Sequence, residues 1–275
     1  MINQLSHLAA LSPTGLEQLN AAVRQTCAAT LGLPPLLSDG EPSADPAVLD
    51  FAEQFSADVA ELSADQRRAF FKSMGDNAFQ ATALIFIADY VPRVLAGFDA
   101  LGVPRPPLLD CDHDTDAADL LLNGFAPAMA RMRALDPVTT EIIRLRGAVQ
   151  HNCRLCRSLR DATALDAGGS ETLYDDIERY ETSALLTDAH KAALRYVDAL
   201  IWTPARIAPD TATGVREHFT NEQSIELTLD VMRNACNKIA VAFGADAPRV
   251  ADGTERYVIG ADGHPVYSPI TPVTS

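Results

Sequence analysis

The sequence predicts an all-α protein, and three observations carry that expectation. Apolar residues recur at three- and four-residue spacing over long stretches, capping residues stand just ahead of those stretches, and strand-like alternation is nearly absent before the C-terminal tail.

In chain order, Leu11-Ser12-Pro13 opens a first helical region. Leu84, Ile87, Val91, Leu95 and Phe98 then mark one face of a helix, which Pro92 is expected to bend. The segment from Gly102 to Asp119 is the best boundary, with Pro104, Pro106 and Pro107 followed by an acidic run from Asp110 to Asp116. Beyond it, Asp136-Pro137 reads as a cap with proline at the first helical position. Ser170 precedes a helix from Glu171 to Tyr180, and Thr187-Asp188 precedes one reaching Trp202. Leu229, Met232, Cys236, Ile239 and Phe243 predict a helix over 224–243 that buries its apolar stripe, partly against another subunit. Tyr257-Val258-Ile259 and Val266-Tyr267, set among glycines and prolines, predict an extended C-terminal arm.

The expected division is 1–109 and 110–275. Each half opens with a Leu-x-Pro segment and closes with a long apolar helix, which suggests a duplicated helical unit. The first copy is degenerate, since only Cys27 stands near where a cysteine pair would fall.

Composition narrows the function. The chain has 275 residues, 47% hydrophobic, and a formal net charge of −15. That balance argues against nucleic acid, whose phosphates need Lys and Arg, and against anionic membrane surfaces. The longest apolar run, about Ala81 to Ala88, is too short to span a bilayer, and Met1-Ile2-Asn3-Gln4 lacks the start of a signal peptide. Five cysteines are too few and too scattered for a disulfide scaffold, so a cytoplasmic protein with reduced thiols is expected.

The stretch that carries chemistry runs from Glu141 to Cys156 and ends His151-Asn152-Cys153-Arg154-Leu155-Cys156. A C-x-x-C pair sets two sulfurs within reach of one another across a helical turn. If Asn152 caps a helix that Cys153 opens, unsatisfied N–H groups lower the first thiol's pKa, and Arg154, Arg157 and Arg160 add positive charge. A thiolate attacks an oxidised substrate, and its neighbour resolves the adduct. Glu141, twelve residues before Cys153, joins them as a proton acceptor only if the helix ends near Gln150 and the chain turns at His151-Asn152. The acidic run lacks the glycine and glutamate of a calcium loop and reads as a solvated linker. No second pair completes a zinc site.

Glu141, Arg144-Leu145-Arg146, a short polar bend and C-x-x-C together resemble the carboxymuconolactone decarboxylase/alkylhydroperoxidase D-like family. The later segments Leu186-Thr187, Trp202-Thr203-Pro204, Phe219 to Gln223 and Arg233 to Lys238 are similar too, so the resemblance covers about 125–248. It implies an all-helical bundle assembling as trimers or hexamers, with no organic cofactor. It also implies reduction of a hydroperoxide or disulfide, with reducing equivalents from a partner thiol protein. Carried over, Glu141 is the relay carboxylate, Cys156 the attacking thiol and Cys153 the resolving one. The chain departs from the pattern at Arg160, where redox members have histidine. Arginine stays protonated and cannot accept a proton, so either His151 supplies the base or the peroxidase role has changed. The family's other branch would be a lyase or isomerase of a carboxylated metabolite, with Arg160 and Arg144 on the carboxylate. A non-catalytic redox-sensing oligomer is the reading from a different class.

Overall fold

The computed structural model describes residues 2–267 and is all-α apart from one small sheet. Helices α1 (Ile2–Ala10), α2 (Glu17–Leu31), α3 (Pro46–Ala57) and α4 (Ala64–Met74) surround α5 (Ala78–Leu101). Asp45 and Ser63 cap α3 and α4, the latter through a reciprocal box with Gln66. Unlike an amphipathic surface helix, α5 is buried on almost every side and runs on through Pro92. The helical run 64–101 is long and apolar enough to cross a membrane by length and composition, and 89% of its apolar window is buried inside the fold.

A wide π-turn, Leu120–Phe125, sits between two short helices, α6 (Ala117–Asp119) and α7 (Ala126–Met129). Then come α8 (Pro137–Gln150), the single turn α9 (Arg154–Arg157), β1 (Leu159–Asp161) and the short α10 (Ala162–Asp166) and α11 (Glu171–Asp175). Asp136 caps α8 through the N–H groups of Val138 and Thr139, ahead of Pro137 as expected. Helices α12 (Asp188–Trp202), α13 (Pro209–His218), α14 (Asn221–Ala235) and α15 (Asn237–Ala242) complete the bundle, with α12 capped by Thr187.

One hydrophobic core takes Leu5, Phe55, Leu84 and Tyr90 from before the proline-rich segment together with Phe125, Cys153, Val197 and Met232 from after it. A smaller core of Ile142, Leu145, Tyr174, Ile177 and Leu194 lies beneath the 3-10 turns at 176–182. The two halves open differently. Ser12 does not cap a helix; its hydroxyl donates to Asp39 (2.6 Å), and α2 starts at Glu17 without a side-chain cap.

The helix expected over 224–243 is two helices, interrupted at Cys236. Its core-facing side is not purely apolar, because Glu226, Asp230 and Lys238 are buried there. The tail folds back as a hairpin, β2 (Glu255–Ile259) antiparallel to β3 (Pro265–Tyr267), with β2 parallel to β1. Gly263, at φ 89°, makes the hairpin turn so close to the Pro127 backbone that any side chain would collide. The expected arm past Tyr267 lies outside the described residues.

Candidate functional site: the cysteine turn after α8

Helix α8 ends where the sequence suggested, at His151, but the turn is built differently. Asn152 is not the cap of the next helix. It adopts φ 51°, a left-handed conformation that asparagine tolerates, and it reverses the chain. Cys153 is itself the N-cap of α9, its Sγ accepting from the Cys156 N–H (3.3 Å). Because α9 is one turn long, its dipole is small, and the thiol favoured as thiolate is the second rather than the first. The two sulfurs are 2.8 Å apart, with Cys153 donating to Cys156.

The three flanking arginines do not serve the thiols. Arg154 is clamped on Asp246 (2.7 and 3.1 Å), whose carboxylate and carbonyl also take the N–H groups of Arg154 and Leu155. Arg157 is 3.9 Å from Glu178 at the surface. Arg160 is held in β1 by Glu171 (2.8 Å) and the carbonyls of Arg157 and Leu159, over the Tyr174 ring. It does not line the pocket into which Cys156 opens.

The cation that acts on Cys156 is Arg144. It is buried, forks onto Glu141 (2.6 and 2.7 Å) and donates to the carbonyls of Cys156 (2.9 Å) and Leu159 (2.7 Å). Glu141, expected as a proton acceptor beside the cysteines, hydrogen-bonds to neither sulfur among the described residues and reaches the cysteine turn only through Arg144. Its carboxylate also accepts from the Asp161 N–H (3.1 Å), so it is anchored among donors and fixes Arg144.

On the other side, the Asn237 amide donates to Cys156 Sγ (3.4 Å). The Cys153 S–H bond, Arg144 and Asn237 together pull the Cys156 thiol down to about 7 against its burial. Cys153 moves the opposite way, pushed well up by donating to Cys156 and by burial.

His151 faces inward. Its Nε2 is 3.0 Å from the Tyr90 hydroxyl, so α5 of the first half reaches the site. Burial, then the charges of Lys238 and Arg93, hold its pKa well below the usual histidine value, with the Asn237 amide acting the other way. Those charges belong to a buried cluster in which Asp89 takes both Lys238 (2.5 Å) and Arg93 (2.8 Å). Two cations around one carboxylate leave a local positive excess beside a neutral imidazole. His151 Nδ1 and Asn237 Oδ1 are both buried without a hydrogen-bond partner among the described residues.

Cys156 opens on a pocket of about 380 Å³ between α14, α15 and the β2–β3 hairpin, with Arg144, Arg233, Asn234, Asn237 and Tyr257 in its wall. The other three cysteines are poor nucleophiles, since burial pushes Cys27 and Cys236 up to about 12 and burial and Asp39 push Cys111 up as well. Tyr90, Asp89, Arg93 and Asn237 have no role in the sequence reading. Their signal is polarity inside apolar runs, Asp89 and Arg93 one turn apart in α5 and Asn237-Lys238 within the 224–243 stripe.

Fold and site together define an all-helical protein with a polarised cysteine pair beside a pocket. Two proteins of Mycobacterium tuberculosis are similar along nearly the whole chain: uncharacterized protein MT2376 of strain CDC 1551 / Oshkosh and uncharacterized protein Rv2313c of strain ATCC 25618 / H37Rv. Each is 54% identical over 276 residues, covering 96% of this chain and 97% of the relative. The chain belongs to the family of these mycobacterial proteins. No known family profile matches it, and no solved structure matches it.

Proposed function

We propose that this protein is a thiol-dependent peroxidase in which Cys156 attacks and Cys153 resolves. The observation that carries the reading is the asymmetry of the pair: the Cys156 sulfur takes the Cys153 S–H and the Asn237 side-chain amide and feels the charge of Arg144, whereas the Cys153 sulfur accepts only a backbone N–H. The Cys156 thiolate attacks the outer oxygen of a hydroperoxide and the O–O bond breaks. The alkoxide leaves and is protonated to the alcohol, and Cys156 becomes a sulfenic acid. Cys153 then attacks Cys156 Sγ, water leaves, and a disulfide forms. A dithiol protein supplies the two electrons and two protons that restore the pair.

In this reading the inward groups set the orientation of an amide. The Tyr90 hydroxyl donates to His151 Nε2, so the neutral ring carries its proton on Nδ1. A small side-chain rotation brings that N–H onto Asn237 Oδ1, and the amide is then held with its N–H toward Cys156. Burial, and after it the charges of Lys238 and Arg93, keeps His151 neutral; with a charged ring both nitrogens would be donors. Arg160 takes no part, and Glu141 acts by fixing Arg144.

The test is hydroperoxide consumption with dithiothreitol as the electron donor. The wild type is expected to turn over and Cys156→Ser to be inactive; without dithiothreitol, reduced Cys153→Ser should consume one equivalent and keep Cys156 as a sulfenic acid that dimedone traps. Equal consumption by wild type and Cys156→Ser would overturn the proposal.

A further inference from the structure

The pocket beside Cys156 holds polar groups that thiol chemistry leaves unused. We infer that it is a binding site for an organic acid, a molecule with an apolar body and a single carboxylate, held by Arg233 and Asn234 with its other end against Cys156. For the identity of that reacting end, a hydroperoxide, the inference rests on the function proposed above; for the carboxylate it stands on its own observations.

The two cations in the pocket wall differ in how they are occupied. Arg144 is fully committed to Glu141 and two carbonyls. Arg233, in the last turn of α14, uses only Nε, on Asp230 at 2.9 Å, and its two terminal nitrogens have no acceptor among the described residues. Its charge acts on Tyr257 and on Cys236, both of which line the pocket, so the guanidinium stands at that wall. The adjacent Asn234 also lines the pocket, and its side-chain Nδ2 is buried with no partner among the described residues. Two free guanidinium nitrogens form the planar fork that a carboxylate accepts in bidentate fashion, and the amide donor beside them offers a third bond.

The rest of the wall suits the rest of such a molecule. Leu159, Ile259, Pro127 and Pro265 give it apolar surfaces, and about 380 Å³ falls within the range of small-molecule sites. In a chain of net charge −15, one available arginine favours a singly charged anion over a phosphate ester. With a hydroperoxide bound this way, the carboxylate sits at Arg233 and the O–O bond meets Cys156; the thiolate takes the outer oxygen to become a sulfenic acid, the O–O bond breaks, and the alkoxide is protonated and departs as the hydroxy acid.

The test uses the reduced, full-length protein with octanoate and 1-octanol, neither of which reacts with thiols. Octanoate is expected to bind in a calorimetric titration and to slow alkylation of Cys156 by iodoacetamide, with 1-octanol at least tenfold weaker. Arg233→Met should weaken octanoate at least tenfold without changing 1-octanol, and Arg233→Lys should fall between. Equal protection by octanoate and 1-octanol on the wild type overturns the inference and needs no variant that might misfold. The two proposals separate cleanly. Octanoate binding without hydroperoxide turnover keeps the acid site and removes the peroxidase. Turnover of neutral hydroperoxides without octanoate binding does the reverse.

Discussion

The side-chain amide of Asn237 donates to Cys156 Sγ at 3.4 Å, while its oxygen, buried and without a partner among the described residues, lies on the side of His151. In the function proposed above, this residue at the start of α15 links the thiol to α5 through His151 and Tyr90. That link exists only because the 224–243 helix breaks at Cys236.

Removing the amide should leave the thiolate without a donor. A hydrogen bond to a charged group contributes about 1.5–3 kcal/mol, or about 1–2 pKa units. Asn237→Ala is expected to raise the midpoint of Cys156 alkylation by about that much, and Asn237→Asp by more, because it sets a carboxylate against the thiolate. Rates of iodoacetamide labelling across pH read both.

The proton on His151 Nδ1 has consequences of its own. Tyr90→Phe removes the donor that fixes His151, and His151→Phe removes the ring N–H that turns the amide. Both should raise the alkylation midpoint by less than Asn237→Ala does, and neither should add to it when combined with that variant. Additive shifts in the double variants would refute the link.

His151 also marks the acid response of the fold. Its folded pKa lies well below the ordinary value of 6.5, so below pH 6.5 the unfolded chain binds a proton that the folded chain refuses. The contribution of this residue is complete above that pH and falls as pH drops toward the folded pKa, by up to about 1.4 kcal/mol per unit. Urea denaturation at pH 7 and pH 5 should show a smaller loss for His151→Gln than for the wild type.

Arg144 and Glu141 form a buried pair, 8% and 1% exposed. Removing one partner of such a pair typically costs about 3–5 kcal/mol. Arg144→Met is expected to lose stability in that range and to raise the Cys156 midpoint. Asp246→Asn should loosen the cysteine turn with a much smaller change in melting temperature, since Arg154 is over half exposed.

Much of this site was legible in the sequence, and what was hidden has physical reasons. The cysteine pair and the end of α8 near Gln150 follow from spacing and from a bend at His151-Asn152. The role of the arginines did not follow. Three cationic residues near a thiol read as its electrostatic support, yet Asp246, Glu178 and Glu171, distant in sequence, occupy them. The burial of Arg144 did not follow either, because periodicity does not tell which face of α8 is covered by the tail. The strand β1 was hidden for the same reason, since Leu159–Asp161 pairs with a hairpin almost a hundred residues later. Tyr90 belongs to a half of the chain that carries no cysteine pair, and only the packing of α5 through the centre brings it to His151.

The most direct test of the central claim is mass spectrometry of the reduced protein after one equivalent of an alkyl hydroperoxide, with parallel alkylation of Cys156 from pH 5 to 10. The account predicts a Cys153–Cys156 disulfide and a Cys156 midpoint near the pKa of about 7 that its neighbours impose. Two unmodified thiols with midpoints near the ordinary cysteine value of about 8.5 would contradict it.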